Sequence, residues 1–116
     1  MEDLLIEPTA KTPLIDFSLS GKLVIAGSSF PENAKEFYDP VIDWTVELRN
    51  ESIDMDLVLE YMNTASAKKL LELLKKLESN LNIKNLTVNW FLHIFVKTFL
   101  KAGLCMAGRK PIKNMF

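Results

Sequence analysis

A chain of 116 residues and 13.2 kDa is the size of one domain with one core. Apolar residues make up 48% and charged residues 25%, which excludes an intrinsically disordered or collagen-like chain. The single cysteine, Cys105, excludes an internal disulfide framework and a multi-cysteine zinc site, and fits a reducing cytoplasm. The opening Met-Glu-Asp, with only Leu4 to Ile6 apolar before Glu7 and Pro8, lacks the pattern of a secretory signal.

A net charge of -1 argues against a nucleic-acid binder, but it hides a break. All 15 acidic residues lie at or before Glu78, so residues 1–90 carry a net -6. The last 26 residues carry +5, from Lys97, Lys101, Arg109, Lys110 and Lys113. The composition therefore divides the domain into a body, 1–91, and a basic C-terminal segment, 92–116.

In chain order, residues 13 to 18 and 22 to 27 read as strands joined by Leu19-Ser20-Gly21, an antiparallel hairpin. Ser29 and Glu32 have the spacing of a capping box and Pro31 suits an early helical position, so a helix is expected to begin there. Its apolar stripe is Ala34, Phe37, Tyr38, Val41, Ile42, Thr45 and Leu48. Pro40 is expected to kink it, or to restart it with Asp39 as N-cap.

Residues 54 to 61 alternate as a strand, with Met55, Leu57, Leu59 and Tyr61 on one face and Asp54, Asp56, Val58 and Glu60 on the other. A helix over 65 to 81 follows, capped by Asn63 or Thr64 and apolar at Leu70, Leu71, Leu73, Leu74, Leu77 and Leu81. A strand over 86 to 91 completes a strand–helix–strand unit whose length predicts a parallel pair. If strands 22 to 27 and 54 to 61 are also parallel, the loops that follow them share one edge of the sheet.

Residues 91 to 107 are the most hydrophobic stretch, but Lys97 and Lys101 in its middle argue against a bilayer span and leave a core-packing segment, with a basic interfacial helix as the alternative. Beyond Gly103, Gly108, Pro111 and Asn114 disfavour a regular element. His93 has no partner suited to catalysis or metal binding nearby and reads as an ordinary packed or partly exposed histidine. The four glycines are scattered, so there is no phosphate-cradling loop. With no acid–base pair, metal set or cofactor loop, the chain reads as non-enzymatic, with no cofactor and no metal.

The segment Tyr61-Met62-Asn63-Thr64-Ala65-Ser66-Ala67-Lys68 is the most informative. Thr64 and Ser66 lie where a strand gives way to a helix, and backbone N–H groups with the positive helix end favour an added phosphate there. Lys68 lies one turn on, within reach of such a phosphate. Residues of this type also serve as plain helix caps, and position alone does not separate the two roles.

Several motifs taken together resemble the SiaC-type family of biofilm-regulating phosphoproteins, related in fold to STAS-type anti-sigma-factor antagonists. They are Thr12-Pro13, Gly27-Ser28-Ser29-Phe30-Pro31-Glu32-Asn33, Phe37-Tyr38-Asp39-Pro40-Val41-Ile42-Asp43-Trp44, Leu59 to Ser66 followed by Lys68, and Val88-Asn89-Trp90. The resemblance implies a single STAS-like α/β domain with a mixed sheet of four or five strands and helices packed on it.

It also implies a cytoplasmic, non-enzymatic partner switch. Thr64, with Ser66 as a minor alternative, would be phosphorylated by a protein kinase and dephosphorylated by a PP2C-type phosphatase. The unphosphorylated form would bind and activate a diguanylate cyclase, raising cyclic di-GMP and favouring biofilm formation. Ser28, Ser29, Glu32, Asn33, Asn63, Thr64, Ser66 and Lys68 are the expected partner-binding residues. A STAS-like scaffold that binds without phosphate control is the alternative. After Trp90 the chain departs from the family pattern of two tyrosines, an acidic run and a further helix, and the basic segment reads as divergent or frame-shifted.

Overall fold

The computed structural model describes residues 1–90 and the short strand at 109–111. The element order is β1 (Leu4–Ile6), β2 (Leu14–Phe17), β3 (Lys22–Ser29), α1 (Ala34–Val46), β4 (Ser52–Met62), α2 (Thr64–Ser79), β5 (Asn85–Trp90) and β6 (Arg109–Pro111). All six strands lie in one sheet in sequence order. β1, β2 and β3 pair antiparallel, β3, β4 and β5 pair parallel, and β6 returns antiparallel to β5. The expected hairpin and the expected parallel pair, β4 with β5, are present, and the condition that β3 also runs parallel to β4 is met. The mixed sheet of the body has five strands, and β6 extends it at the edge.

Parallel neighbours require crossovers, and α1 and α2 supply them while packing against each other, which places both on one face of the sheet. Beneath them Ile15, Phe17, Leu23, Ile25, Ile53, Met55, Leu57, Leu59, Leu86 and Val88 form the sheet side of the core, and Tyr38, Val41, Leu70, Leu73, Leu74 and Leu77 the helix side. Each such side chain contributes roughly 1.5–3 kcal/mol on burial.

Gly21 turns the hairpin at φ +103°, and a Cβ there would stand 2.7 Å from the Ser52 carbonyl oxygen. The close approach lets Asp54 N–H donate to the Gly21 carbonyl at 2.9 Å, tying the turn to the start of β4.

Several expectations are corrected. β1 was not anticipated from its three apolar residues; Trp44 Nε1 donates to the Glu2 carbonyl at 2.8 Å and holds that end against α1. Ser29 caps no helix: it is the last residue of β3, and Asn33 caps α1, its Oδ1 accepting from Glu36 N at 3.1 Å. Pro40 neither ends nor restarts α1, because Tyr38, Val41, Ile42 and Thr45 form one buried stripe across it whose packing outweighs the lost bond. Leu81 lies past the end of α2 and is 88% exposed. Arg109–Pro111 is a strand despite the turn-forming residues around it, with Pro111 at its end, where a missing donor is tolerated. The readings of His93, Cys105 and the hydrophobic stretch beginning at 91 fall outside the described residues.

A change of register sets the facing of the last residues of β4. Gly27, at φ +112°, pairs with Leu59, whereas Ser28 pairs with Tyr61, so Glu60 is an extra residue in β4. The alternation flips at this bulge. Met62, 5% exposed, takes the core position expected for Tyr61, and Tyr61 is 47% exposed.

Candidate functional site

The parallel pairing brings the ends of β3 and β4 side by side, so the loop leading to α1 and the turn leading to α2 share one edge. Asn63 N–H donates to the Ser29 carbonyl at 3.0 Å and joins them directly. Asn63 also caps α2: its Oδ1 accepts from Ser66 N at 2.9 Å and its carbonyl from Ala67 N at 3.0 Å. Of the two expected caps, Asn63 is the one used. Thr64 is therefore the first residue of α2, exposed, with a hydroxyl that makes no hydrogen bond among the described residues.

The expected partner residues divide into two levels. Asn33, Glu32, Thr64 and Lys68 are exposed, and Ser28 and Asn63 are half-buried. Ser29 and Ser66, both expected at the surface, are fully buried. The Ser29 hydroxyl donates to Ser66 Oγ at 2.9 Å and shares a 2.5 Å hydrogen bond with the Tyr38 hydroxyl. Three hydroxyls from β3, α1 and α2 thus satisfy one another under the loops. Burial pushes the Tyr38 phenol up to about 12, with the serine hydrogen bonds opposing the rise, so it is a neutral hydrogen-bonding group across the physiological range.

The sequence contains the signal for Ser66. It lies four residues before Leu70 and eight before Leu74, on the stripe that faces the sheet. Helical spacing marks Tyr38 as core packing alone; its polar role depends on meeting Ser29, which no local pattern reveals.

The surrounding charges hold the frame. Lys11 pairs with Glu32 at 3.3 Å, and Phe30 N donates to the Lys11 carbonyl at 2.8 Å, so the segment before β2 braces the loop. Lys69 bridges the helices to Asp39 at 2.6 Å and also binds Glu72 at 3.0 Å, while Lys35 pairs with Asp39 along α1. The Lys35 ammonium, and then that of Lys69, hold the Asp39 carboxyl below its ordinary range. Lys68 makes no ion pair among the described residues. Lys22 on β3 is saturated, reaching Asp54 at 3.1 Å and Asp56 at 3.0 Å, and Asn89 donates to both carboxylates at 2.8 and 2.7 Å.

Among the described residues no group of histidine, cysteine or carboxylate side chains is arranged to hold a metal ion, and no helix is long and apolar enough to cross a membrane. The edge offers hydroxyls, amides and helix-terminal N–H groups, which suit phosphate and protein contacts.

Comparison with known proteins agrees with this arrangement. A family model described as SiaC family regulatory phosphoprotein matches residues 6–107, running past Trp90. The crystal structure of apo-SiaC from Pseudomonas aeruginosa superimposes with a TM-score of 0.70 at 33% identity, covering 78% of each chain. A crystal structure of the diguanylate cyclase SiaD in complex with its activator SiaC, also from Pseudomonas aeruginosa, gives a TM-score of 0.64 at 33% identity, covering 76% of this chain and 75% of that one. An uncharacterized protein of Pseudomonas aeruginosa strain UCBPP-PA14 is 38% identical over 82 residues, 67% of this chain and 65% of its own length. The chain thus spans just under two thirds of that relative.

Proposed function

The chain belongs to the SiaC family of regulatory phosphoproteins, and from that premise we propose that it is a non-enzymatic, cytoplasmic partner switch whose unphosphorylated form binds and activates a diguanylate cyclase. A protein kinase adds phosphate at Thr64, and a PP2C-type phosphatase removes it. Residues 1–91 form the body of the switch, and 92–116 are a divergent basic segment of the same domain.

The observation that carries this reading is the position of Thr64: exposed, first in α2, and at the centre of the edge shared by the β3–α1 and β4–α2 connections. A phosphate there brings nearly two negative charges and three acceptor oxygens onto the docking surface. The helix end and Lys68 favour the phosphorylated form locally. The same charge opposes docking, because a partner seated on this edge would have to desolvate it. Ser28, Glu32, Asn33, Asn63 and Lys68 complete the surface. Ser66 is not an acceptor in this scheme, since its buried oxygen is engaged by Ser29.

Phosphopeptide mapping on protein incubated with its kinase tests the assignment. Stoichiometric phosphate on Thr64 is expected. Phosphate on another residue with Thr64 bare overturns it, and binding of the cyclase without any phosphate control would favour the constitutive scaffold.

A further inference from the structure

The extra residue in β4 does more than turn Tyr61 outward. It brings Met62 opposite Ser29, the last residue of β3, so that Asn63 follows within reach of the Ser29 carbonyl. That carbonyl accepts from Asn63 N–H at 3.0 Å, the Asn63 side chain accepts from Ser66 N–H at 2.9 Å, and the Ser66 hydroxyl accepts from the Ser29 hydroxyl at 2.9 Å. These three bonds close a ring that begins and ends on Ser29 and spans Thr64 and Ala65. With the Ser29 hydrogen given to Ser66, the Tyr38 hydroxyl donates to Ser29 and fixes its side chain from α1. Ser29, Tyr38 and Ser66 are each 0% exposed, so water does not compete for these bonds.

An acceptor at the start of a folded helix cannot be drawn into a kinase cleft as a loose peptide can, so the fold decides where its oxygen stands. In the transfer, Thr64 Oγ1 forms a bond to the γ-phosphorus of a nucleoside triphosphate held by the kinase, the bond to the diphosphate leaving group breaks, and the hydroxyl proton passes to the kinase's base. Such a step needs the reacting atoms in line, and a misplacement of about 1 Å can cost on the order of 10²-fold in rate. We infer that Ser29 is the positioning residue of the switch: holding Asn63 by its carbonyl and Ser66 by its hydroxyl, it sets where Thr64 Oγ1 stands for phosphoryl transfer. The inference rests on the reading of Thr64 as the acceptor. It gives Ser29, sealed from any partner, a part in the reaction that it cannot take by contact.

The test follows phosphate incorporation at Thr64 of the full chain by its kinase, well below the melting temperature of every variant. Ser29→Ala is expected to lower kcat about tenfold with KM within about twofold of wild type, because the docking surface is intact and only the placement of the acceptor has loosened. Tyr38→Phe, which leaves the Ser29–Ser66 bond in place, is expected to lower kcat about threefold. Ile53→Val, a core truncation near the opposite end of β4 that also lowers the melting temperature, is expected to leave kcat unchanged. An unchanged or raised kcat in Ser29→Ala, a change confined to KM, or an equal fall in Ile53→Val would overturn the positioning role and leave Thr64 standing as the acceptor. Tyr38→Phe keeps the ring and its packing, so it decides the question if Ser29→Ala does not fold: an unchanged kcat there overturns the inference. No phosphate on Thr64 of the wild-type chain would overturn the acceptor assignment and the inference with it.

Discussion

The rim and the layer beneath it are built from the same residue types and behave as opposites. Thr64 and Ser66 are two residues apart at the start of one helix, yet the first is exposed and makes no hydrogen bond among the described residues while the second is sealed between Ser29 and the core. A 100° step per residue accounts for this: two steps carry a side chain from the solvent side of α2 to the side facing the sheet. A hydroxyl on the rim is open to chemistry because it is exposed and no bond among the described residues depends on it. A hydroxyl in the cluster is unavailable because three elements depend on it.

The largest expected effect breaks this comparison directly. Ser66→Asp places a carboxylate in the sealed cluster and is predicted to cost more than about 3 kcal/mol, a large part of the 5–15 kcal/mol available to a domain of this kind. Thr64→Glu adds the same charge two residues away and is predicted to change stability by no more than about 0.5 kcal/mol, because it lies exposed at the favourable end of a helix. Urea unfolding of the two variants against wild type reads both values. Equal losses would show that the rim is structural as well.

A smaller effect sharpens the comparison from within the cluster. Ser29→Ala leaves the Tyr38 and Ser66 oxygens short of a partner and is predicted to cost about 1–3 kcal/mol. Asn63→Ala, which removes the cap at the rim but buries no orphan, is predicted to cost about 1 kcal/mol. Denaturant midpoints at constant slope check the order of the two.

The smallest expected effect concerns the ion pairs that frame both layers. The neighbouring lysines hold Asp39 below its ordinary value of 3.8, so its stabilising contribution is complete above that pH and is lost as pH falls through its lower folded value. Lys69 is raised above 10.5, chiefly by its bond to Asp39, so its contribution is complete below that pH and is lost as pH rises through its higher folded value. Asp39→Asn is therefore predicted to lower the melting temperature slightly near neutral pH and to converge on wild type in acid. Melting curves from pH 2 to 7 follow this, and a constant gap across that range would contradict it.

The parallel core was legible in the sequence because its signals are periodic: alternation over β4, then Leu70, Leu73, Leu74 and Leu77 at helical spacing, then a second strand. The position of Thr64 was legible for the same reason, since it stands where one period gives way to the other. Features set by tertiary structure escaped, three of them at the site. The Ser29–Glu32 spacing matched a capping box by coincidence, while Asn33 held the cap. The bulge at Glu60 reversed the facing of Tyr61 and Met62, and a bulge leaves no mark in a pattern read along a single strand. The Ser29–Tyr38–Ser66 cluster joins residues up to 37 positions apart, beyond the reach of any local rule.

The central claim is that phosphate on Thr64 controls docking to a diguanylate cyclase. It is tested most directly by titrating purified SiaD with the protein before and after stoichiometric phosphorylation at Thr64, confirmed by intact mass, and following cyclic di-GMP formation. The unmodified protein is predicted to activate the cyclase, and the phosphorylated protein to require at least tenfold more for the same activation, with activity restored by a PP2C-type phosphatase. Equal activation by the two forms would contradict the account.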